Sequence, residues 1–404
     1  MLQRNYFQSV SFIALIAAMM GLTAFTIDAM LPAFGEMTKA FSLPKNQANK
    51  IQYVVFAYMF GFATMQPIFG FLGDALGRKW TLISGIGLFV IASAAVFFIN
   101  EFKWLLVARF VQGMGLAAPR VLSTAIVRDV ASGREMARIM SYAVMVFMIV
   151  PMLAPSIGQL TMQAGGWHAI FRLFVFAGLL VIIWILYQLP ETLIPEERAR
   201  LNIKSIKAAF IQCLGHSATV IQLIIIGMIF AMTMTYIGQA EQIFGRDIYH
   251  LGDKFPLIFA LNFSGLIAAS FLNSRWVLLH GMQRIIRIAT LAMSANAIIL
   301  VFLSWIYAGI PPLWFFLPLL ITHFFFQGLL MPNLNTLILV PHRNIAGTAS
   351  AIIGAGMTII GAVLGGQIAS HFNATLYPLT LGLMVLSLGI TFLYRLAERL
   401  GIDE

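Results

Sequence analysis

Apolar runs of about 20 residues, each enough to cross the hydrocarbon of a bilayer, recur along nearly the whole chain. Twelve are read, near 9–35, 50–73, 79–99, 102–126, 136–162, 167–188, 216–240, 253–274, 284–307, 311–336, 346–371 and 374–395. In lipid, each run must satisfy its own backbone hydrogen bonds, so the spanning element is the helix. Only 10% of the residues are charged, against about 25% in a soluble domain, which excludes a soluble fold. The first run is too long for a cleaved signal peptide and is expected to remain as the first span. The expected class is an all-α membrane protein of twelve transmembrane helices.

A net charge of +10 could suggest a nucleic-acid partner, but its distribution excludes one. With both termini on the inner side, the 25 Lys and Arg divide as 16 inner, 7 outer and 2 within span four. That bias is the positive-inside rule, so basic excess reports topology. The expected setting is a bacterial inner membrane, with both termini cytoplasmic. Cys213 is the one cysteine, so no intrachain disulfide forms and no metal or cofactor site is indicated.

The main break in the apolar pattern falls at 189–215, a mixed-charge stretch read as a cytoplasmic linker with Glu196 and Arg200 at i,i+4 spacing. It divides the chain into an N-terminal six-helix bundle at 1–188 and a C-terminal one at 216–404. Weak repetition relates the two. Phe110-Val111-Gln112-Gly113 in span four echoes Phe325-Phe326-Gln327-Gly328 in span ten, and 154–160 echoes 362–368. Echoes in corresponding spans are what a duplicated six-helix unit leaves behind. The glycines of span eleven follow no strand, so they read as close helix packing and not as a nucleotide loop.

Between spans two and three the chain reads Gly70-Phe71-Leu72-Gly73-Asp74-Ala75-Leu76-Gly77-Arg78-Lys79. This loop resembles the signature between the second and third helices of the major facilitator superfamily, with Ala75 where that family usually has a basic residue. The resemblance implies two pseudo-symmetric six-helix bundles working by alternating access. It also implies a conformational latch formed by Gly73, Asp74, Gly77, Arg78 and Asp129. Asp74 is expected at the positive N-terminus of a neighbouring helix.

Asp28 is the one acidic residue well inside a span, while Glu241 sits at the outer mouth of span seven. An ionisable group at membrane depth is costly and marks a functional candidate. Asp28 and Arg109 both lie about 9–12 Å below the outer surface at 1.5 Å per residue, so the two are expected to meet as an ion pair. The segments 26–32 and 109–115 resemble those of drug/proton antiporters, notably the Bcr/CflA type, where the Asp and the Arg serve proton coupling. On that likeness, a change in the surroundings of Asp28 as a cavity alternates would make it take up and release a proton. About two turns earlier, near Met20, some relatives carry a second acid that this chain lacks. Pro151 to Gln159 resembles the antiporter motif of span five, with Ala154 and Gln159 replacing glycines.

Arg120 lies eleven residues after Arg109, about 20° around the helix and hence on the same face. It is read as an anion-binding residue, since Arg grips carboxylate or phosphate with two parallel bonds. Gln112, Tyr58, Tyr236, Gln239, His323, Gln327 and Asn333 are the other substrate-binding candidates. Gln66, Asn262, Asn296 and Asn335 are further wall positions. His323 is a secondary proton site. The expected function is proton-coupled secondary transport, as an efflux antiporter for small amphipathic compounds. The alternative keeps the fold and moves an anionic metabolite such as a carboxylate siderophore. The expected partners are the substrate, protons and the bilayer, with a monomeric protein. An intramembrane enzyme would need paired aspartates or a His-Glu-x-x-His helix. A channel would need a symmetric ring of equivalent residues. Neither pattern is present.

Overall fold

The structure is a computed structural model and describes residues 7, 9–198 and 203–401. Arg200, the partner assigned to Glu196, lies outside the described residues. Among those described, regular structure is helical throughout, as the bilayer's lack of hydrogen-bonding partners demands. Spans one to four are Val10–Asp28, Tyr53–Leu76, Arg78–Ala95 and Phe102–Val130. Spans seven to twelve are Ser217–Ala240, Phe255–His280, Met282–Ile306, Leu313–Leu337, Ala346–Ser370 and Tyr377–Arg399.

Spans five and six lie within one stretch, Gly133–Gln188. At 1.5 Å per residue its 56 residues would extend about 84 Å, far beyond a bilayer. The helix is broken at Gly165 and Gly166, where Gly166 has φ +67°, so the stretch supplies two crossings. The twelve spans follow. Span one starts at Ser9, whose hydroxyl accepts the Phe12 N–H at 3.2 Å. It ends at Asp28, ahead of a 3-10 turn at Leu31–Ala33 and a short helix at Phe34–Ala40. Span seven runs into a π-helical turn, Glu241–Asp247.

The chain forms two compact units. One comprises Met1–Leu43, Tyr53–Ala209 and Ser350–Ala355; the other comprises Pro44–Gln52, Phe210–Ala349 and Gly356–Glu404. The stretch after span six holds a 3-10 turn, Pro195–Glu197, and a helix, Ile203–Leu214, in which Cys213 is buried. Burial pushes the Cys213 thiol up from its ordinary range.

In the first unit, spans two and four cross almost backbone to backbone. A Cβ at Gly61 would stand 1.9 Å from the Phe110 carbonyl, and one at Gly113 would stand 1.9 Å from the Tyr58 carbonyl. Only glycine permits that approach. The second unit repeats the crossing more loosely with spans eight and ten, through Gly265 and Gly328.

Candidate functional site

The glycine crossing places Arg109 between spans one, two and four, fully buried. Its Nε donates to the Val54 carbonyl at 3.2 Å. One Nη donates to Gln112 Oε1 at 2.8 Å, and the other to the Thr26 carbonyl at 3.3 Å. The guanidinium carbon lies 4.7 Å from the centroid of the Tyr58 ring, within cation–π range. Gln112 in turn donates to Ser93 Oγ at 2.8 Å, and the Tyr58 hydroxyl donates to the Thr23 carbonyl at 3.2 Å. Arg109, Gln112 and Tyr58 thus form one network, tied to span three through Ser93.

Asp28 is buried, 3% exposed, but the expected ion pair with Arg109 is not formed. No contact within 4.0 Å joins the two side chains. The reason lies in the fork. Two carbonyls, one amide oxygen and a ring face already satisfy the guanidinium, so the carboxyl is not needed as its partner. The level is as expected, because Arg109 reaches the carbonyl of Thr26, two residues before Asp28. Tyr58 feels the fields of both Arg109 and Asp28. Oδ1 of Asp28 is left without a hydrogen-bond partner. A shallow, open apolar groove runs along span one, walled by Gly21, Phe25, Val146 and Val150 and by the exposed Leu180 and Ile183. It reaches Phe25, one helical turn from Asp28.

Arg120 is partly buried in the first unit. Its guanidinium lies 5.7 Å from the centroid of Phe147, and it makes no ion pair among the described residues. Of the remaining substrate-binding candidates, all in the second unit, Tyr236 accepts the Asn262 amide at 2.9 Å. Gln327 Oε1 accepts the Thr233 hydroxyl at 2.9 Å, and Gln239 donates to the carbonyls of Ile368 and Ala369 at 3.2 and 3.3 Å. Asn333 is committed to Asn273 and the Leu329 carbonyl, both at 2.7 Å, and Asn296 to the Leu319 carbonyl at 3.0 Å. Those two therefore serve helix packing. His323 is fully buried, and neither of its ring nitrogens has a partner. Gln66 is buried, whereas Asn335 is exposed. Glu241 is buried in the π-helical turn, with its Oε2 3.5 Å from Arg246.

Where span two ends and span three begins, Arg78 is 3% exposed and ion-paired to Asp74 at 2.5 Å and to Asp129, at the end of span four, at 2.8 Å. Gly73 lets span two approach span four beside the cluster, since a Cβ there would stand 2.3 Å from Leu122 Cδ2. Gly77, at φ +99°, starts span three. The carboxylate at that N-terminus is Glu191, not Asp74. Glu191 accepts the N–H groups of Arg78 at 2.7 Å and Lys79 at 3.2 Å, and also those of Thr192 and Leu193. Asp74 is drawn instead to Arg78, four residues along the chain, which outcompetes partial helix-end charge. Glu191 went unassigned because the linker reading absorbed it. Its signal was an acid directly after the last residues of span six.

A model of the Major Facilitator Superfamily matches residues 12–366. The chain belongs to that superfamily. It is a multi-pass membrane transporter of small molecules and not an enzyme. The transporter is 30% identical to a bicyclomycin resistance protein homolog of Haemophilus influenzae, over 91% of each chain. This agrees with the Bcr/CflA likeness of spans one and four. It is 33% identical to the multidrug resistance protein MdtL of Citrobacter koseri over 135 residues, 33% of this chain and 35% of that one. Its fold matches a D-xylose–proton symporter with TM-score 0.73 at 17% identity, over 95% of this chain and 97% of the other.

Proposed function

We propose that the transporter is a proton-coupled efflux antiporter for small amphipathic compounds. It acts as a monomer in a bacterial inner membrane with both termini cytoplasmic, and it works by alternating access. The observation that carries this reading is Asp28, a carboxyl at membrane depth with an unsatisfied oxygen and no ion-pair partner. Because Arg109 is already satisfied, its charge does not lock Asp28 into a permanent pair. Proton occupancy of Asp28 then answers to what the cavity admits, water from one face or cargo from the other. Arg109 holds spans one, two and four at a fixed level around it. The drug-resistance relatives support export.

The test is uptake of tetraphenylphosphonium into inverted proteoliposomes with an imposed pH gradient. Wild-type protein should accumulate the cation only with the gradient present, and Asp28→Asn should reduce accumulation to background. Gradient-driven accumulation by Asp28→Asn would sink the coupling role.

One observation favours a second reading. The unpaired Arg120 beside Phe147 is a cation free to receive an anion. If the cargo is a polycarboxylate, Arg120→Ala abolishes its binding and spares cationic dyes.

A further inference from the structure

His342 is a buried base outside the membrane spans. It lies in the 3-10 stretch Val340–Ile345 that joins spans ten and eleven, and it is 2% exposed. Its Nε2 lies 2.8 Å from the hydroxyl of Thr219, in the first turn of span seven and far away in sequence. His216, the residue just before span seven, stands edge-on to the same ring, with centroids 6.1 Å apart. All three residues belong to the second unit. The other ring nitrogen, Nδ1, is buried without a hydrogen-bond partner among the described residues.

This arrangement accepts a neutral imidazole and rejects a charged one. A neutral ring carries one N–H, so Nε2 can serve the Thr219 bond while Nδ1 keeps a bare lone pair. A second proton would turn Nδ1 into a charged donor with nothing to bond, the costlier case of a buried unpaired group. It would also set a cation at the start of span seven, where the helix dipole is positive. The titratable group that faces His342 is His216, itself a base, and no carboxylate acts on the ring among the described residues. Burial, and then the field of His216, hold the His342 imidazole below its ordinary value.

A ring that leaves this pocket regains the ordinary value of about 6.5. The undocked ring then takes a proton more readily than the docked one, so acid favours undocking. Docking is fully favoured above about pH 6.5 and loses up to about tenfold per unit below it, until the docked ring itself is protonated.

We propose that His342 is a pH-sensitive pin in the second unit. When neutral it ties the connection between spans ten and eleven to the start of span seven, and its protonation releases that connection and slows transport. This rests on the efflux reading and its topology, in which both ends of the contact face the cytoplasm. An exporter that trades cargo for protons acidifies that side, so release there brakes the carrier's own proton import.

The experiment follows amide hydrogen exchange by mass spectrometry on purified full-length protein in nanodiscs, without cargo or gradient, from about pH 7.5 to about 5.5. After correction for the intrinsic pH dependence of exchange, Val340–Ile345 and the first turn of span seven should lose protection by about tenfold from about pH 6.5 to about 5.5. His342→Gln keeps a polar partner for Thr219 and His342→Phe keeps the ring, but neither titrates. Protection in both should stay within about 2-fold across that range. His216→Gln removes the neighbouring base and should retain the pH dependence. In inverted proteoliposomes the bath meets the cytoplasmic side. Acidifying bath and lumen together at a constant pH difference should slow wild-type uptake of tetraphenylphosphonium by about 3- to 10-fold relative to His342→Gln. Flat exchange in wild-type protein overturns the pin, as does pH dependence that survives in His342→Gln or vanishes in His216→Gln. Equal slowing of transport in wild type and His342→Gln overturns the brake. Exchange is read without cargo or gradient, so retained flux in Asp28→Asn leaves the pin standing, and flat exchange leaves proton coupling standing.

Discussion

The two six-helix units use one scaffold and fill it differently. Gly61 of span two answers to Gly265 of span eight, and Gly113 of span four to Gly328 of span ten. That alignment sets Arg109 against Phe324, Gln112 against Gln327, and Tyr58 against Asn262. At the buried level, the first unit holds a cation bonded to two carbonyls and an amide, beside a free carboxyl. The second holds an aromatic ring and neutral amides. At the starts of spans three and nine the contrast recurs. Gly77, beside the Arg78 cluster, answers to Gly281, which also has a positive φ and starts span nine. A Cβ at Gly77 would stand 2.5 Å from Glu191, while one at Gly281 would meet nothing within 4 Å. Duplication supplied two equal frames, and charge was kept in one. Buried charge is expensive in lipid, and at the level of the glycine crossings only the first unit holds it, the second unit's buried Glu241 lying at the end of span seven beside Arg246.

The largest expected effect tests whether that asymmetry is functional. Asp28→Asn should abolish gradient-driven accumulation in proteoliposomes while the purified protein still binds tetraphenylphosphonium. Retained uphill flux would show that the charged layer has no privileged part in coupling. Next comes the crossing itself. Gly113→Ala forces a methyl into the Tyr58 carbonyl at 1.9 Å, whereas Gly328→Ala meets Ala269 Cβ and the Leu266 carbonyl at 2.7 Å. Overpacking of this kind costs about 1–3 kcal/mol, and the first variant should sit at the upper end and the second at the lower. Thermal unfolding in detergent, read by size-exclusion fluorescence, should give Gly113→Ala the larger loss. Equal losses would mean that the two crossings are not as different as their distances.

Arg109→Lys follows. An ammonium cannot span the Val54 and Thr26 carbonyls and Gln112 together as the guanidinium fork does. Loss of one charge-assisted bond is worth about 1.5–3 kcal/mol, so the unfolding temperature should fall by several degrees. A neutral change there, Phe324→Leu in the other unit, should cost less. The reverse order would show that the second unit's core depends more on its aromatic wall than the first does on its cation.

Most of the fold was legible because the bilayer leaves so few options. Length and apolarity alone set the spans, and the structure places most of their ends within about four residues of the sequence reading, with span one ending seven residues earlier and span eight six residues later. The break between spans five and six shows the same economy, since no helix of 56 residues fits a membrane and the chain turns at Gly165-Gly166. Side-chain pairing was less legible. Depth correctly put Asp28 and Arg109 at one level, but depth says nothing of rotation about the helix or of competing backbone carbonyls. Those carbonyls became available only because Gly61 and Gly113 bring spans two and four together. Glu191 was hidden for a similar reason. An acid in a charged stretch reads as solvated until the N-terminus of span three, distant in sequence, is seen to lie beside it.

The smallest expected effect concerns that carboxylate, and it sharpens the comparison between the starts of spans three and nine. Glu191 accepts four backbone N–H groups, two of them at the start of span three, and so acts as a helix cap supplied from outside the helix. Losing a capping acceptor costs about 0.5–2 kcal/mol, which is the range expected for Glu191→Ala. Glu191→Gln keeps one acceptor oxygen and should cost less than half as much. Span nine shows no corresponding side-chain cap at Gly281, so substitutions around its start should move the unfolding temperature only through the positive φ of that glycine. Gly281→Asn carries only the strain of φ 73°, ψ 159°, a region essentially confined to glycine, and should therefore cost less than Gly77→Asn, where the same side chain also collides with Glu191. In the Glu191→Ala background that collision is gone, and Gly77→Asn should then cost about as much as Gly281→Asn. A double-mutant cycle without this convergence would show that Gly77 is held by its own backbone geometry and owes nothing to Glu191.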